Sequence, residues 1–401
     1  MAWAEQRANG QWTGIYRDPA GHKRSAGTVA KKKDAQALAQ REEDTIRSGR
    51  CVDPAAGTVT FTDYFENQWI VHRTLEINGR AYYWGNYRAP RHGLKGKFGD
   101  MPLARIRRPM VQAWVTDMVN DGLSPRTIKA RVATLQAVLA ARDGVSAIND
   151  SLIVDNPVDR VTIPPVPARK VAIYTPDQVD KLIAALDCWW RMMVWFDTDT
   201  DTGLRWGELL GVQVKDINFL RHHVTVHQTI IEVAAAETGN GTPFAVKPYP
   251  KDNDSRVVGL SQETIDMISL HISERELARD DFLFSMPVLR TDREGHTVLV
   301  EQVQRTDTWP HGMPISRSYF RTVWKEAVRT AKVPDRRRHD LRASFISWLL
   351  DDPSMAPQHV MDIAGHNRWD TTKKYAVGMG RAQELGVQAI HNTRQRYRTT
   401  G

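Results

Sequence analysis

The stretch from Pro157 to Pro167 places four prolines in eleven residues, at positions 157, 164, 165 and 167. Proline fixes its own φ, lacks a backbone N–H and drives the preceding residue out of the helical region. A segment built this way is neither a helix interior nor a central strand. It reads as an extended, semi-rigid connection over 158–170. The 401 residues therefore build their cores on either side of it, and at roughly 150 residues per domain they make two or three domains. The chain restarts at Thr175-Pro176-Asp177-Gln178, a capping box with proline at the first helical position. Val179, Leu182, Ile183 and Leu186 continue from it as an apolar face.

An apolar content of 41% is enough for packed cores. The net charge of +8 points only weakly to nucleic acid. Two cysteines, Cys51 and Cys188, give neither a disulfide framework nor a zinc-binding pair. Residues Met1–Trp12 contain no apolar signal core, and no run approaches the roughly 18 apolar residues of a membrane span. The expectation is a soluble, cytoplasmic protein with no membrane partner.

In residues 1–50, ten Lys/Arg face six Asp/Glu. Two strand-like runs, Gln11–Tyr16 and Lys23–Val29, flank the turn Asp18-Pro19-Ala20-Gly21, and a helix pattern follows from Asp34 to Arg47. A small sheet on one helix, with Lys23 and Arg24 on its open face, is suited to a DNA groove. Residues 58–157 read as mostly helical. Ser124-Pro125 caps a helix whose stripe is Ile128, Val132, Leu135 and Leu139, with Arg126, Lys129, Arg131 and Arg142 off it. Upstream, Arg88, Arg91, Lys95, Lys97, Arg105, Arg107 and Arg108 accompany a single acid, Asp100. Glycines 93, 96 and 99 make that segment a loop displaying its charges for phosphate contact. Tyr82, Tyr83, Trp84 and Tyr87 just before it read as helix core.

Chemistry in the last part is approached by exclusion. Neither a phosphate-binding Gly-x-x-x-x-Gly-Lys loop nor Gly-x-Gly-x-x-Gly occurs. Asp197, Asp199, Asp201 and Glu208 fit calcium-loop positions, but Thr202 stands where the sharp-turn glycine belongs. His222, His223 and His227 lie on an alternating strand with no further ligand beside them. What remains is cationic. Arg205 and Glu208 are three apart at the start of a helix, and His339 and Arg342 are three apart on another. Lys251 falls at the tip of a turn between strands Phe244–Val246 and Val257–Leu260. Gly365-His366 precedes Tyr375.

In this order, Thr202-Gly203-Leu204-Arg205-Trp206-Gly207-Glu208, Pro250-Lys251 to Ser255-Arg256, His339-Asp340-Leu341-Arg342 and Gly365-His366 to Tyr375 resemble the tyrosine recombinase (phage integrase) family. Gly122-Leu123-Ser124-Pro125 and Asn156-Pro157-Val158 are similar to that family's core-binding phrases. Ala376-Val377 departs from it where many relatives carry a histidine. The resemblance implies an α+β, mostly helical chain of the arm-binding subtype found in mobile-element integrases. Residues 1–55 would be an arm-type DNA-binding domain with a three-stranded sheet and a helix, and 58–157 a helical core-binding domain. Residues 171–385 would be a mainly α catalytic domain with a small sheet, and 386–401 a tail. The segment from Arg381 would dock on a neighbouring subunit.

The implied reaction cuts and rejoins DNA through a 3′-phosphotyrosine. Arg205 and Arg342 would clamp the phosphate, and Tyr375 would attack phosphorus. Its phenol has an ordinary pKa near 10, so about one in a thousand is ionised at pH 7, and surrounding positive charge should lower that value. His339 would serve as general base and Lys251, with Lys247 as runner-up, would protonate the leaving 5′-oxygen. His366 would hydrogen-bond the phosphate, and Glu208 would orient its neighbours. No metal or cofactor is implied. The implied partners are double-stranded DNA at core and arm sites, three further copies in a tetramer, a directionality factor and a host DNA-bending protein. A type IB topoisomerase-like nickase and a non-catalytic DNA-binding regulator are the alternatives.

Overall fold

The computed structural model describes residues 2–18, 21–47, 58–167, 171–186, 189–191, 193–194, 203–248, 255–291, 297–352 and 354–376. The chain divides into two compact units, Met1–Ala168 and Arg169–Gly401. Among the described residues no helix is long and apolar enough to cross a membrane. Cys51, Cys188, Lys251, the aspartates at 197, 199 and 201, and the tail beyond Arg381 lie outside the described residues.

The first unit begins with strands β1 (Trp3–Gln6), β2 (Trp12–Arg17) and β3 (Lys23–Val29) in an antiparallel sheet ordered β1-β2-β3. The helix Lys32–Arg47 packs on it and buries Ala35 and Ala39 completely. Asp18 closes the β2–β3 turn: its carbonyl accepts from the Gly21 N–H and its carboxylate from the His22 N–H, both at 2.8 Å. Lys23 and Arg24 are exposed but paired with acids, Lys23 with Glu5 at 2.6 Å and Arg24 with Asp18 at 3.0 Å.

Residues 58–167 are mainly helical around an aromatic core. Phe65 stacks on Tyr87 at 4.0 Å, and Trp69, Phe98 and Trp114 are fully enclosed beside them. Tyr83 and Trp84 pack against this core, whereas Tyr82 is exposed. The helix Pro125–Ala140 starts as its sequence dictates, with the Ser124 hydroxyl accepting from the Thr127 N–H at 3.1 Å. Ile128, Val132, Leu135 and Leu139 are buried along it.

Two expectations for this region are corrected. Arg131, placed off the apolar stripe, is buried all the same, with Nη1 3.9 Å from the Met118 sulfur. The segment 88–108 is not a loop throughout, because Leu94–Phe98 is a helix. Leu94 and Phe98, four apart, both enter the core, and that burial outweighs the low helix propensity of Gly96. The proline-rich segment is tied down at its start. Val158, Val161 and Ile163 lie on this core, and the Arg108 guanidinium holds the Arg160 carbonyl at 2.9 Å.

The second unit opens with the helix Pro176–Ala184, capped by the Thr175–Gln178 box. The helix Trp206–Gly211 leads into β4 (Ile217–Asn218), β5 (His223–Val226), β6 (Thr229–Glu232), β7 (Phe244–Lys247) and β8 (Arg256–Gly259). The expected hairpin between 244–246 and 257–260 is not formed. Instead β7 pairs with β6 and β8 pairs with β5, in two separate sheets. Between β5 and β6 the Gln228 amide donates to the Gly211 carbonyl at 2.7 Å and to Gln213 Oε1 at 3.1 Å. Residues 248–255 thus connect two strands with different partners. Strands β9 (Pro287–Thr291) and β10 (Thr297–Val303) form a further antiparallel pair. The helices Gln262–Glu274, Arg317–Ala331, His339–Asp351 and Pro357–Ala364 complete the unit, followed by the helix Trp369–Thr372 and a 3-10 turn, Lys373–Tyr375.

Candidate active site

Arg205 and Glu208 meet because the chain turns into the helix Trp206–Gly211 between them. Arg205 is extended at φ −65°, ψ 149°, and its backbone N–H donates to Glu208 Oε2 at 2.9 Å. Its Nη1 donates to Glu208 Oε1 at 2.8 Å. The other terminal nitrogen reaches the Gly365 carbonyl at 2.7 Å. Gly365 ends the helix Pro357–Ala364 in the left-handed conformation, φ 61°, which turns that carbonyl toward the arginine and places His366 next in line.

Arg342 rises from the second turn of the helix His339–Asp351 and is only 3% exposed. Its Nη1 donates to the Gly203 carbonyl, and its Nη2 to the Ala364 carbonyl at 2.6 Å and to His366 Nε2 at 3.0 Å. An arginine can only donate, so Nε2 of His366 is the acceptor and the ring proton sits on Nδ1. That proton goes to Thr372 Oγ1, 2.9 Å away. Both imidazole nitrogens are thus engaged inside the protein. The expected bond from His366 to a phosphate requires the other tautomer.

The Tyr375 ring stacks on the His366 ring, with centroids 5.9 Å apart and planes 15° off parallel. It also packs on Phe345, Ile346, Val360 and Ala364. The Ser347 hydroxyl donates to the Tyr375 carbonyl at 2.7 Å and so fixes the backbone that carries the phenol. His339 lies one turn before Arg342 at the exposed start of the same helix. It lines a pocket of about 440 Å³ floored by Trp206, Phe320 and Trp324. Lys247 is on β7 opposite Thr229.

One residue of the site was not singled out by the sequence. Arg256, the first residue of β8, donates through Nη2 to Glu208 Oε2 at 2.8 Å and through Nη1 to Oε1 at 3.3 Å. Its only signal was the Ser255-Arg256 ending of the lysine phrase. Glu208, 1% exposed, therefore sits between two guanidinium groups. Burial pushes its carboxyl up, but Arg256 and Arg205 together hold it down at about 2. Burial lowers Arg342 to about 10, with Arg205 and Arg256 adding to that and Glu208 opposing it, so it remains charged at neutral pH. Burial, then Arg342, Arg205 and Arg256, push His366 down to about 4. Among the described residues the result is a recessed cluster of three cations and one carboxylate beside a phenol, suited to offsetting the negative charge that builds when a tyrosine attacks a phosphodiester.

The residues expected to contact DNA fall into two groups. Arg91, Lys95 and Lys97 are exposed but pair with Asp121, Glu66 and Asp117 at 2.9, 3.0 and 3.1 Å. Arg88 lies over the Trp84 ring at 3.7 Å. Arg105, Arg107, Arg126 and Lys129 are exposed.

The model of the phage integrase family matches residues 173–378, about half the chain, and spans Arg205, Glu208, Arg256, His339, Arg342, His366 and Tyr375. A XerC-like tyrosine recombinase of Caldanaerobacter subterraneus subsp. tengcongensis is 25% identical over 352 residues, covering 85% of this chain and 84% of that protein. The integrase of Mycobacterium phage D29 is 24% identical over 348 residues, covering 86% and 82%. Among solved structures, the Tn1549 transposon integrase in complex with transposon right end DNA aligns with a TM-score of 0.58 at 17% identity, over 82% of this chain and all of that one. The lambda integrase tetramer bound to a Holliday junction aligns at 0.54 and 17% identity, over 93% and 94%. These two likenesses show a shared fold. With the family model spanning the whole clustered site, the chain belongs to the phage integrase family.

Proposed function

We propose that this protein is a site-specific DNA recombinase, an integrase of a phage or other mobile element. The observation that carries the reading is the meeting of Arg205, Glu208, Arg342 and His366, with the Tyr375 ring stacked against the histidine. The Tyr375 oxygen attacks a backbone phosphorus. A phosphorus–phenol bond forms, and the bond to the 5′-oxygen breaks. His339 takes the phenolic proton, and Lys251 gives one to the departing oxygen. Arg205 and Arg342 offset the charge that builds on the phosphoryl oxygens. His366 steadies Arg342, and after a change of tautomer it donates to the phosphate. The covalent intermediate keeps the phosphoester bond energy, so a second 5′-hydroxyl reverses the step with no nucleotide consumed.

The fold shared with DNA-bound integrases supports duplex DNA as partner and a tetramer as the working assembly. The segment 1–55 would hold arm sites and the helices of 58–157 the core site. Arg105, Arg107, Arg126 and Lys129 are the strongest candidates there for phosphate contact. A directionality factor and a host DNA-bending protein would select integration or excision, in the cytoplasm of the bacterial host.

A nicked suicide substrate carrying the attachment core tests this reading. Wild-type protein should form a covalent adduct that maps to Tyr375, and Tyr375→Phe should bind the site yet form none. An adduct at full yield with the phenylalanine variant would refute the assignment. Relaxation of plasmids lacking any attachment sequence would favour a topoisomerase-like activity.

A further inference from the structure

The proposed reaction uses Arg205 and Arg342 directly and leaves the third guanidinium of the site without a part. Arg256 is held at the start of β8 by pairing with Val226, and its side chain is 12% exposed. Its two terminal nitrogens grip the two oxygens of Glu208 side by side, the fork geometry that fixes the plane of a carboxylate. The same oxygens receive Arg205, Oε2 from its backbone and Oε1 from its guanidinium. A glutamate carboxylate turns easily about its terminal torsion. Gripped by Arg256 it cannot, so the direction in which Oε1 holds Arg205 is set from β8.

A second contact leads to the same place. A Cβ built on Gly365 would lie 3.2 Å from Arg256 Nη1 and 3.5 Å from Arg205 Nη1. Both guanidinium groups therefore rest against the turn that carries His366. Arg256 Nε is buried with no hydrogen-bond partner among the described residues. With both terminal nitrogens committed to Glu208 and little surface showing, Arg256 is placed to act through Glu208 rather than on DNA.

We infer that Arg256 is a positioning residue for strand cleavage, which through Glu208 aims the Arg205 guanidinium at the scissile phosphate. This rests on the recombinase reading above. It differs from a plain fold-stabilising ion pair in one consequence. A defect in Arg256 should matter only as far as the phosphate needs Arg205.

Replacing a non-bridging oxygen of the scissile phosphate by methyl removes its charge and with it most of that need. The test is single-turnover formation of the Tyr375 adduct on phosphate and methylphosphonate suicide substrates, with site binding followed by gel mobility. Arg256→Lys keeps the charge and loses the fork. It should bind the site like wild type, cleave the natural phosphate slower by on the order of 10²-fold, and recover most of that loss on the methylphosphonate. Arg256→Met should behave alike with a larger loss.

Full-speed cleavage by the lysine variant, or an equal loss on both substrates, would overturn the proposal. So would loss of site binding by the lysine variant, since that assigns the ion pair to folding. If only the methionine variant loses site binding, the lysine variant decides. Failure of the recombinase reading looks different, because wild-type protein would then form no adduct on either substrate.

Discussion

At the scale of single residues, protonation separates this site from an ordinary surface cluster. His366 sits at about 4 against an ordinary 6.5, because burial and then Arg342, Arg205 and Arg256 disfavour its cation. Between those values the unfolded chain takes up a proton that the folded chain refuses, so acidification through this window favours unfolding. His271, also buried and pushed to about 4, acts in the same window and sense. Glu208 works lower down. Held at about 2 against 4.5, it stabilises the fold above 4.5 and loses that contribution as pH falls toward 2. Replacing His366 with glutamine should therefore flatten the dependence of stability on pH between about 4 and 6.5, by up to about 1.4 kcal/mol per pH unit, with the His271 share remaining. Urea denaturation across that range measures it. An unchanged slope would mean that the imbalance comes from elsewhere. Arg205, Arg342, His366 and Tyr375 were legible in the sequence because each stands in a phrase of fixed spacing. Arg256 was not, since its role depends on which strand β8 joins.

At the scale of elements, the local rules read well wherever the deciding interaction is local. The Ser124 and Thr175 caps, the strand at His223–Val226 and the helix after Lys31 follow from neighbouring side chains. Strand pairing is non-local, and there the reading of a 244–260 hairpin failed. Strand β7 takes β6 as its partner and β8 takes β5, and nothing near residue 250 in the sequence signals that. The helix Leu94–Phe98 was hidden by its glycines, although the apolar pair four apart was available to see. The helix that carries Arg205 and Glu208 is itself positioned by a close approach. A Cβ on Gly207 would lie 2.4 Å from both the Ile230 carbonyl and Thr229 Oγ1. Gly207→Ala should therefore push this helix off β6. The expected cost is about 1–3 kcal/mol of stability, with cleavage slowed by on the order of 10²-fold as Arg205 shifts. Ser124→Ala, in the other unit, should cost about 1 kcal/mol of stability and leave the rate of adduct formation on bound DNA unchanged. Thermal melts and single-turnover cleavage compare the two. An alanine at 207 that cleaves at the wild-type rate would mean that the helix is held from elsewhere.

At the scale of the whole molecule, the cluster around Tyr375 lies in the second unit and most of the net positive charge in the first. Of the net charge of +8, residues 1–168 carry +7 (24 Lys/Arg against 17 Asp/Glu), which suits a unit whose affinity comes from phosphate neutralisation. For duplex DNA, the logarithm of the binding constant falls with the logarithm of salt by about 0.9 per phosphate contact. A module holding a second site on the same DNA works differently. It makes the core-site encounter intramolecular, at an effective concentration of order millimolar, without adding contacts at the core. Removing residues 1–55 should then reduce recombination between full attachment sites far more than cleavage of an isolated core site. The salt slope for full-site binding should fall by about 0.9 for each phosphate contact that the segment made, while the slope for the core site stays put. The two slopes, measured on the full chain and the truncated one, separate a DNA-binding arm from a sheet that only supports its neighbours. Equal losses on both substrates would remove the arm from the mechanism while leaving the reaction at Tyr375 untouched.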